Sequence, residues 1–496
     1  MRLASLLATM LFASTAFGQP STTLERGKID AFVQKEMRER HIPGMQVAVV
    51  QHGKLVLTRA YGLADVQHSI PVTPRTPFSI ASITKAFTGV AVMQLVEEGK
   101  LDIDAPVSRY LGNLPMSWRP VTLRQLLTHV SGIPDIVDQK SGKLVRDTDP
   151  EAFVSEADAL PMEFAPGERF SYNQTNYLLL GKIIEKASGQ PFVQFVTRRQ
   201  FDVADMRNTQ FGGFSDIIKD RAQPYTLQRI ATGNGDADVP MNIFYESVPA
   251  LLPANGINTS AEQVANWIIA LQHGRLLRKE GSLSTMWTPG VLNNGSHGGF
   301  GGPLNGYALG WPVIVRTAHK AVAPIGGNWS AFFIYPDDDL SVVILTNLQG
   351  SHPEAFVDEV AGYFVPDIRD AVGFGIPRLI RELEGELTKA GFDHALDIVN
   401  DSRHAAAKSQ LREEDVNAWG YRLRGQGRQA QALEIFKLNA VLFPQSANTY
   451  DSLADAYEGL GEQSLAIDNY RRSLALNPKN RNAAERLKAL GSGPAE

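Results

Sequence analysis

The sequence predicts an α+β fold: an antiparallel sheet flanked by helices, with a helical insertion, followed by an all-α helical-repeat domain. Strand patterns occur near both ends of a long first region, a long apolar helix pattern lies between them, and only helix patterns follow residue 376 or so. The chain has 496 residues, of which 43% are apolar, so it is long enough for two domains with separate cores.

The first residues have the order of a secretory signal peptide. Arg2 precedes a mostly apolar stretch over residues 3–17, and the small residues Ala16 and Gly18 lie at its end, before Gln19 and Pro20. The stretch is shorter than the roughly 20 residues that a membrane-spanning helix needs; a frayed apolar helix is the alternative interpretation. We therefore predict a signal peptide over residues 1–18 and a mature protein without a membrane span, located in the periplasm or secreted.

Composition excludes several classes of function. The net charge of −5 and the pI near 6.1 give no basic surface for nucleic acid. The chain has no cysteine, which excludes disulfides, thiolate metal sites and a cysteine nucleophile. The histidines show no metal-ligand spacing, so we expect neither a metal nor another cofactor. The expected ligand is a small-molecule or peptide substrate.

Two groups of strands frame the first region. Helical apolar spacing predicts a helix over residues 29–40, and residues 45–50 and 55–57 predict a hairpin with a turn at Gly53. Much later, residues 331–335 and 341–346 predict two strands around an acidic turn. We expect both groups to pair in one antiparallel sheet. Further helices are predicted between them, over residues 177–187 and 261–273.

Ser82 begins a long apolar helix pattern that ends before Gly99, as expected of a buried helix. Lys85 lies three residues on, on the same helix face, and forms the one Ser-x-x-Lys sequence of the chain. Unpaired N–H groups at a helix N-terminus favour a developing oxyanion. A desolvated lysine has a lowered pKa and can accept the serine proton. The alternative, a serine cap beside an exposed lysine, suits a solvated helix better.

Residues 26–366 resemble the serine β-lactamase-related superfamily of class C β-lactamases, DD-peptidases and family VIII-type esterases. The matching segments occur in the family order and are residues 78–85, 98–101, 126–134, 166–172, 177–181 and 345–347. The resemblance implies a serine hydrolase domain in which Ser82 forms an acyl-enzyme with esters or amides. His129 lies in a matching segment that is mainly structural in the family. No Gly-x-Ser-x-Gly is present, which counts against an α/β-hydrolase.

The second family motif is altered. Tyr172 matches the tyrosine that shares proton transfer with the lysine, which makes Ser82, Lys85 and Tyr172 the expected catalytic residues. Gln174 stands where the family has a substrate-binding asparagine. Using Asn173 instead would break the register of the following matches. A packed loop aromatic is the alternative interpretation of Tyr172.

The third family motif is altered as well. The family has a cation followed by glycine beside the nucleophile, whereas this chain has Pro324 at the cation position and matches the glycines with Gly326 and Gly327. The resemblance implies that the Gly327 N–H joins the Ser82 N–H in an oxyanion hole. Loss of the cation makes us expect an esterase, peptidase or amidase and not an efficient β-lactamase. Nearby, the glycine-rich residues 298–302 predict a mobile loop and not a phosphate site, because no helix pattern follows.

A 34-residue period marks the C-terminal region. Four pairs recur at this distance: Leu423 and Tyr457, Ala432 and Ala466, Phe436 and Tyr470, Pro444 and Pro478. The pattern resembles tetratricopeptide repeats and predicts them over residues 413–489, after a helical linker or degenerate repeat over 367–412, with a third hairpin within 379–399. Such repeats either bind a protein partner or only stabilise the chain, and the sequence favours neither.

The sequence therefore predicts an exported serine hydrolase that carries helical repeats. The alternative is a catalytically weak binding protein, in which the altered motifs reflect lost activity and the repeats recruit a protein partner.

Overall fold

The computed structural model describes residues 23–137, 160–213, 215–232, 235–243, 249–371, 373–374, 377–401, 411–425 and 427–491. The predicted signal peptide at residues 1–18 lies outside these ranges, as does part of the predicted linker. None of the helices within them is both long enough and apolar enough to cross a bilayer.

A nine-stranded sheet joins the two predicted strand groups. Its strands are Gly44–Gln51 (β1), Lys54–Asp65 (β2), Ile70–Pro71 (β3), Gly306–Tyr307 (β9), Pro312–Ile314 (β10), Ala321–Val322 (β11), Ile325–Gly326 (β12), Ser330–Tyr335 (β13) and Leu340–Thr346 (β14). Their order is β3-β2-β1-β14-β13-β11-β10-β9, and β12 pairs with β13. Antiparallel pairing of β1 with β14 places Met45 opposite Thr346. The expected pairing of the N-terminal hairpin with the later strands is confirmed.

Helices cover both faces of this sheet. The described α-helices before residue 371 are Thr23–Glu39 (α1), Thr84–Glu97 (α2), Leu123–Leu127 (α3), Gln174–Ser188 (α4), Phe192–Val196 (α5), Leu252–Asn255 (α6), Ala261–Gln272 (α7), Ser282–Trp287 (α8) and Glu354–Ala361 (α9). Successive strand residues point to opposite faces. Accordingly, Ala48 packs into the core that contains α2, α4 and α7, whereas Val47 packs into a second core with α1 and α9.

The sequence predicted a helical insertion between the two strand groups. The insertion contains strands as well as helices. Two small sheets lie within it: Phe78–Ser79 (β4), Gln210–Phe211 (β5) and Ile257–Thr259 (β8) form one, and Tyr225–Thr232 (β6) with Gly235–Asn242 (β7) form the other. The helix predicted over residues 82–98 is divided into a 3-10 turn, Ala81–Ile83, and α2. The helix predicted from residue 177 begins earlier, at Gln174, because the Asn173 side chain accepts the Asn176 N–H at 3.0 Å and caps it.

Only helices are described beyond residue 377. They are Arg378–Ala390 (α10), Ala395–Asn400 (α11), Glu413–Gly425 (α12), Gln429–Leu442 (α13), Ala447–Gly459 (α14), Gln463–Leu476 (α15) and Arg481–Ala489 (α16). The starts of α12, α14 and α16 are 34 residues apart, as are those of α13 and α15. One apolar cluster joins α10 to α14, with Trp419 and Phe436 fully buried within it. The sequence period therefore coincides with a period in helix position.

The two regions have separate apolar cores. The last fully buried side chain of the sheet domain is Ile368, and the repeat core begins around Ile380. Between them, the Arg381 guanidinium donates to the Asp370 carboxylate at 2.9 Å and to the Arg369 carbonyl at 3.2 Å. The domain boundary predicted near residue 366 thus lies just before the polar contacts that Arg381 makes with residues 369 and 370.

We expect a fragment that ends at residue 374 to retain the fold of the sheet domain, because its two cores are complete without the repeats. Partly exposed ion pairs contribute about 0.2–1 kcal/mol each, so loss of the contacts of Arg381 should lower Tm by only a few degrees, roughly 2–4 °C per kcal/mol. Thermal unfolding followed by circular dichroism checks this, with the full chain as control. If limited proteolysis of the full chain cuts first inside residues 26–366 and leaves no stable N-terminal fragment, the boundary is wrong.

Candidate active site

Ser82 lies in the tight 3-10 turn that leads into α2. On either side of it, Ile80 and Ile83 are fully buried, whereas Ser82 is partly exposed. Ala81 has φ of 44°, a left-handed conformation that is rare and costs a non-glycine residue on the order of 1 kcal/mol. The apolar anchors and the strained residue together present the Ser82 hydroxyl at the surface of an otherwise buried segment.

Lys85, in the first turn of α2, is only 1% exposed. Its Nζ lies 3.3 Å from Oγ of Ser82, 2.9 Å from Oε1 of Gln174 and 3.0 Å from the carbonyl oxygen of Ala254. The ring of Tyr172 covers the same nitrogen at 4.8 Å. Burial lowers the pKa of Lys85 to about 7, against an opposing effect of the Asp135 carboxylate, so a large fraction of the amine is neutral near pH 7.

The surroundings of Lys85 also orient its nitrogen. A neutral amine has two N–H groups and one lone pair. The Gln174 Oε1 and the Ala254 carbonyl oxygen can only accept hydrogen bonds, so they take the two N–H groups. The remaining hydrogen-bonding neighbour is the Ser82 hydroxyl, toward which the lone pair is therefore directed. This arrangement is that of a general base beside a nucleophile.

Tyr172 lies beside both Lys85 and Ser82. Its hydroxyl is hydrogen-bonded with the side chain of Ser82. Burial raises the pKa of Tyr172 well above its ordinary value; the Ser82 hydrogen bond opposes this and the Asp135 charge adds to it. The phenol therefore keeps its proton at neutral pH. Lys85 and Tyr172 are thus placed as proton acceptor and proton donor.

The structure distinguishes between Gln174 and Asn173 as the amide of the second motif. The Gln174 side chain reaches Lys85, as described above, and is partly exposed. Asn173 is only 2% exposed and caps α4, while its Nδ2 donates to the Ile133 carbonyl at 2.6 Å. The glutamine is therefore in the site and the asparagine supports the backbone around it.

His129 is a fully buried support for this loop. Its Nδ1 accepts the Asn173 N–H at 3.1 Å, which leaves the proton of the neutral ring on Nε2. Burial, with a smaller contribution from Lys85, holds the pKa of His129 well below its ordinary value. Its ring packs 4.4 Å from that of Tyr172 and 4.8 Å from that of Tyr307. His129 thus positions Tyr172 and does not reach the open side of the site.

Gly326 and Gly327 lie against the turn that holds Ser82. A Cβ at residue 326 would collide with the Ile80 carbonyl, and at residue 327, where φ is +58°, it would lie 2.6 Å from the Trp329 ring, so both positions favour glycine. Trp329 Nε1 donates to the Ser79 carbonyl at 2.9 Å and ties β13 to the segment before the nucleophile. The strand end that was expected to complete an oxyanion hole is therefore fixed beside Ser82.

Pro324 is buried and directly precedes β12, two residues before Gly326. Its carbonyl accepts the Phe332 N–H at 3.0 Å, so its backbone belongs to the sheet. The position at which the family has a cation is thus occupied by an apolar ring that offers no donor.

Two groups in the site were not predicted. Asp135 accepts the Gln174 N–H at 2.9 Å and acts electrostatically on Lys85 and Tyr172. Its position directly after the family-matching segment that ends at Pro134 could have identified Asp135 as a candidate site residue. The Ala254 carbonyl had no signal, because any residue type supplies one. Among the described residues, no group of histidine, aspartate and glutamate side chains is arranged to hold a metal ion.

Several known proteins are similar to part of this chain. Protein flp of Staphylococcus aureus (strain MW2) is 28% identical over 350 residues, which are 67% of this chain and 65% of the relative, so the chain spans about 65% of that relative's length. Esterase EstB of Burkholderia gladioli is 32% identical over 217 residues, 40% of this chain and 54% of that protein. The octameric penicillin-binding protein homologue from Pyrococcus abyssi superposes with a TM-score of 0.59 at 27% identity, covering 72% of this chain and 81% of that one.

The family comparison agrees with the geometry. The matching region includes the nucleophile turn, the lysine, the tyrosine and the glycine strand, and it ends before the C-terminal helices begin. Because the model of the Beta-lactamase family matches residues 29–363, this chain belongs to that family.

Proposed function

We propose that this chain is a serine hydrolase that cleaves esters or amides through an acyl-enzyme on Ser82. The observation that carries the proposal is the position of the buried Lys85 amine, whose nitrogen has two carbonyl acceptors and the Ser82 hydroxyl as its neighbours. The similarity to an esterase from Burkholderia gladioli supports the same class of reaction.

In the proposed reaction, Ser82 Oγ attacks the substrate carbonyl carbon while its proton passes to Nζ of Lys85. The carbonyl oxygen becomes an oxyanion, which the N–H groups of Ser82 and Gly327 stabilise. The bond to the leaving group then breaks, and the leaving oxygen or nitrogen takes a proton from Tyr172, which Lys85 reprotonates. Water repeats the sequence on the acyl-enzyme, releases the acid and restores the Ser82 hydroxyl.

Two further parts of the proposal come from the sequence. Residues 1–18 would direct export, which places the activity in the periplasm or outside the cell. The helices from α12 to α16 would form tetratricopeptide repeats that recruit a protein partner or only stabilise the chain. A catalytically weak binding protein is the alternative, but nothing in such a function requires a lysine amine to be buried against a serine hydroxyl.

Ser82→Ala should abolish hydrolysis of activated esters such as p-nitrophenyl acetate without unfolding the protein. Lys85→Met, which replaces the amine with a side chain of similar length, should lower kcat by about 10⁴-fold, because nucleophile and base act as a unit. Steady-state kinetics together with thermal unfolding checks both. Ser79→Ala is the matched control. Ser79 is a nearby serine whose backbone carbonyl accepts hydrogen bonds from Trp329 and Ser330, and the substitution leaves that carbonyl in place. Wild-type turnover by Ser82→Ala or Lys85→Met would contradict the assignment.

Substrates without a carboxylate should be preferred, because Pro324 replaces the cation and the Asp135 carboxylate adds negative charge near the site. A charge-assisted hydrogen bond to a carboxylate contributes about 1.5–3 kcal/mol, or roughly 10- to 150-fold in affinity, and this chain has no such donor at residue 324. We expect kcat/KM for a short neutral ester to exceed that for a penicillin.

The direct measurement compares a substrate that carries a free carboxylate with its methyl ester. A methyl ester that is hydrolysed as fast or faster agrees with the proposal. If the free acid is hydrolysed ten times faster or more, another cation reaches the substrate and this interpretation of Pro324 is wrong.

A further inference from the structure

Phe300 is an exposed aromatic side chain beside the nucleophile. It is 49% exposed, although its ring centroid lies 5.1 Å from that of Tyr172 and 5.2 Å from that of Phe170. The Tyr172 hydroxyl is in turn hydrogen-bonded with Ser82. One side of the Phe300 ring is therefore packed, and the rest is open to solvent. Only the Tyr172 side chain lies between this ring and Ser82.

Two glycines place Phe300 there. A Cβ at Gly299 would lie 2.6 Å from the Leu304 carbonyl oxygen and 2.8 Å from the Gly306 N, and a Cβ at Gly298 would lie 3.0 Å from Cβ of Phe170. Because neither residue has a side chain, the backbone lies directly on β9 and on Phe170. The glycine-rich residues 298–302, expected from the sequence to form a mobile loop, thus have close contacts that direct Phe300 toward Tyr172.

The proton-transfer machinery does not use Phe300. The ring has no polar atom and is tilted by 48° against the ring of Tyr172, whose hydroxyl is engaged with Ser82. Its packed side also adjoins Tyr307, with centroids 6.0 Å apart. An aromatic ring in this place offers a substrate dispersion contact and removal of apolar surface from water.

We propose that Phe300 is a specificity-determining residue whose exposed ring contacts an alkyl or aryl group of the ester bound at Ser82. This inference rests on the proposed hydrolase function and extends it to a substrate class: neutral esters with an apolar group larger than acetyl. The apolar Pro324 and the carboxylate of Asp135 favour the same class, since neither attracts an anionic substrate.

The test compares p-nitrophenyl hexanoate with p-nitrophenyl acetate on the full-length protein. Phe300→Ala should lower the hexanoate-to-acetate ratio of kcat/KM by about tenfold, since contact with one ring removes only part of the longer chain from water. Phe300→Leu, which keeps an apolar side chain, should retain most of the ratio. Met116→Ala, at a position 72% exposed on a surface turn, is the control and should leave the ratio unchanged. A second series compares phenyl acetate with methyl acetate. Its ratio of kcat/KM reports contact of Phe300 with the alcohol part of the ester.

The outcomes separate this inference from the proposed function. A ratio that falls in either series with Phe300→Ala, but not with Met116→Ala, supports the specificity role. An equal loss for all substrates means that the ring only packs against Tyr172, and unchanged ratios in both series mean that it contacts no substrate; either result overturns the inference alone. If the wild-type protein hydrolyses none of the esters while correctly folded, the proposed function and this inference both fail.

Discussion

The burial of the Lys85 amine is the constraint on which the rest of the site depends. Removing an ammonium from water costs several kcal/mol, which favours the neutral form. That form is useful only if its lone pair faces the nucleophile, and the acceptors at Gln174 and Ala254 provide the orientation. Lys85, Gln174 and Ala254 belong to α2, α4 and α6, which are far apart in sequence but packed in one core. The proposed base therefore exists only in the folded chain.

The sheet supplies the other half of the site. Its β12 strand approaches the nucleophile turn so closely that only glycine fits at residue 326, and Trp329 holds β13 to the Ser79 carbonyl. The two faces of the sheet are buried under separate groups of helices, which leaves the strand end little freedom to move away from Ser82. The distance between Ser82 and β12 is therefore fixed by tight packing at this junction and not by the chemistry of any one side chain.

The sequence was sufficient for the fold class and for the identity of the paired strands, because β1, β13 and β14 are nearly continuous apolar runs bounded by turn residues, as expected of strands buried on both faces. It did not predict the small three-stranded sheet around β8, since strands of two or three residues carry almost no periodic signal. In the site, Ser82 and Lys85 stood out in the sequence because of their distinctive chemistry, and the structure places their side chains 3.3 Å apart. The Ala254 carbonyl was not, because a backbone acceptor is created by tertiary packing alone. Phe300 was not predicted as a site residue either, because its place beside Tyr172 depends on how Gly298 and Gly299 pack.

The pH dependence of Ser82 labelling by a fluorophosphonate, followed by intact-protein and peptide mass spectrometry, tests the central claim most directly. Only the neutral Lys85 amine can accept the serine proton. The labelling rate should therefore rise about tenfold per pH unit below pH 7 and level off above it, near the lowered pKa of about 7. Asp135→Asn keeps the oxygen that accepts the Gln174 N–H but removes a charge that raises the Lys85 pKa, so the midpoint should move to lower pH. A labelling rate that does not change between pH 5 and pH 9, or a midpoint near the ordinary pKa of lysine, would contradict the account.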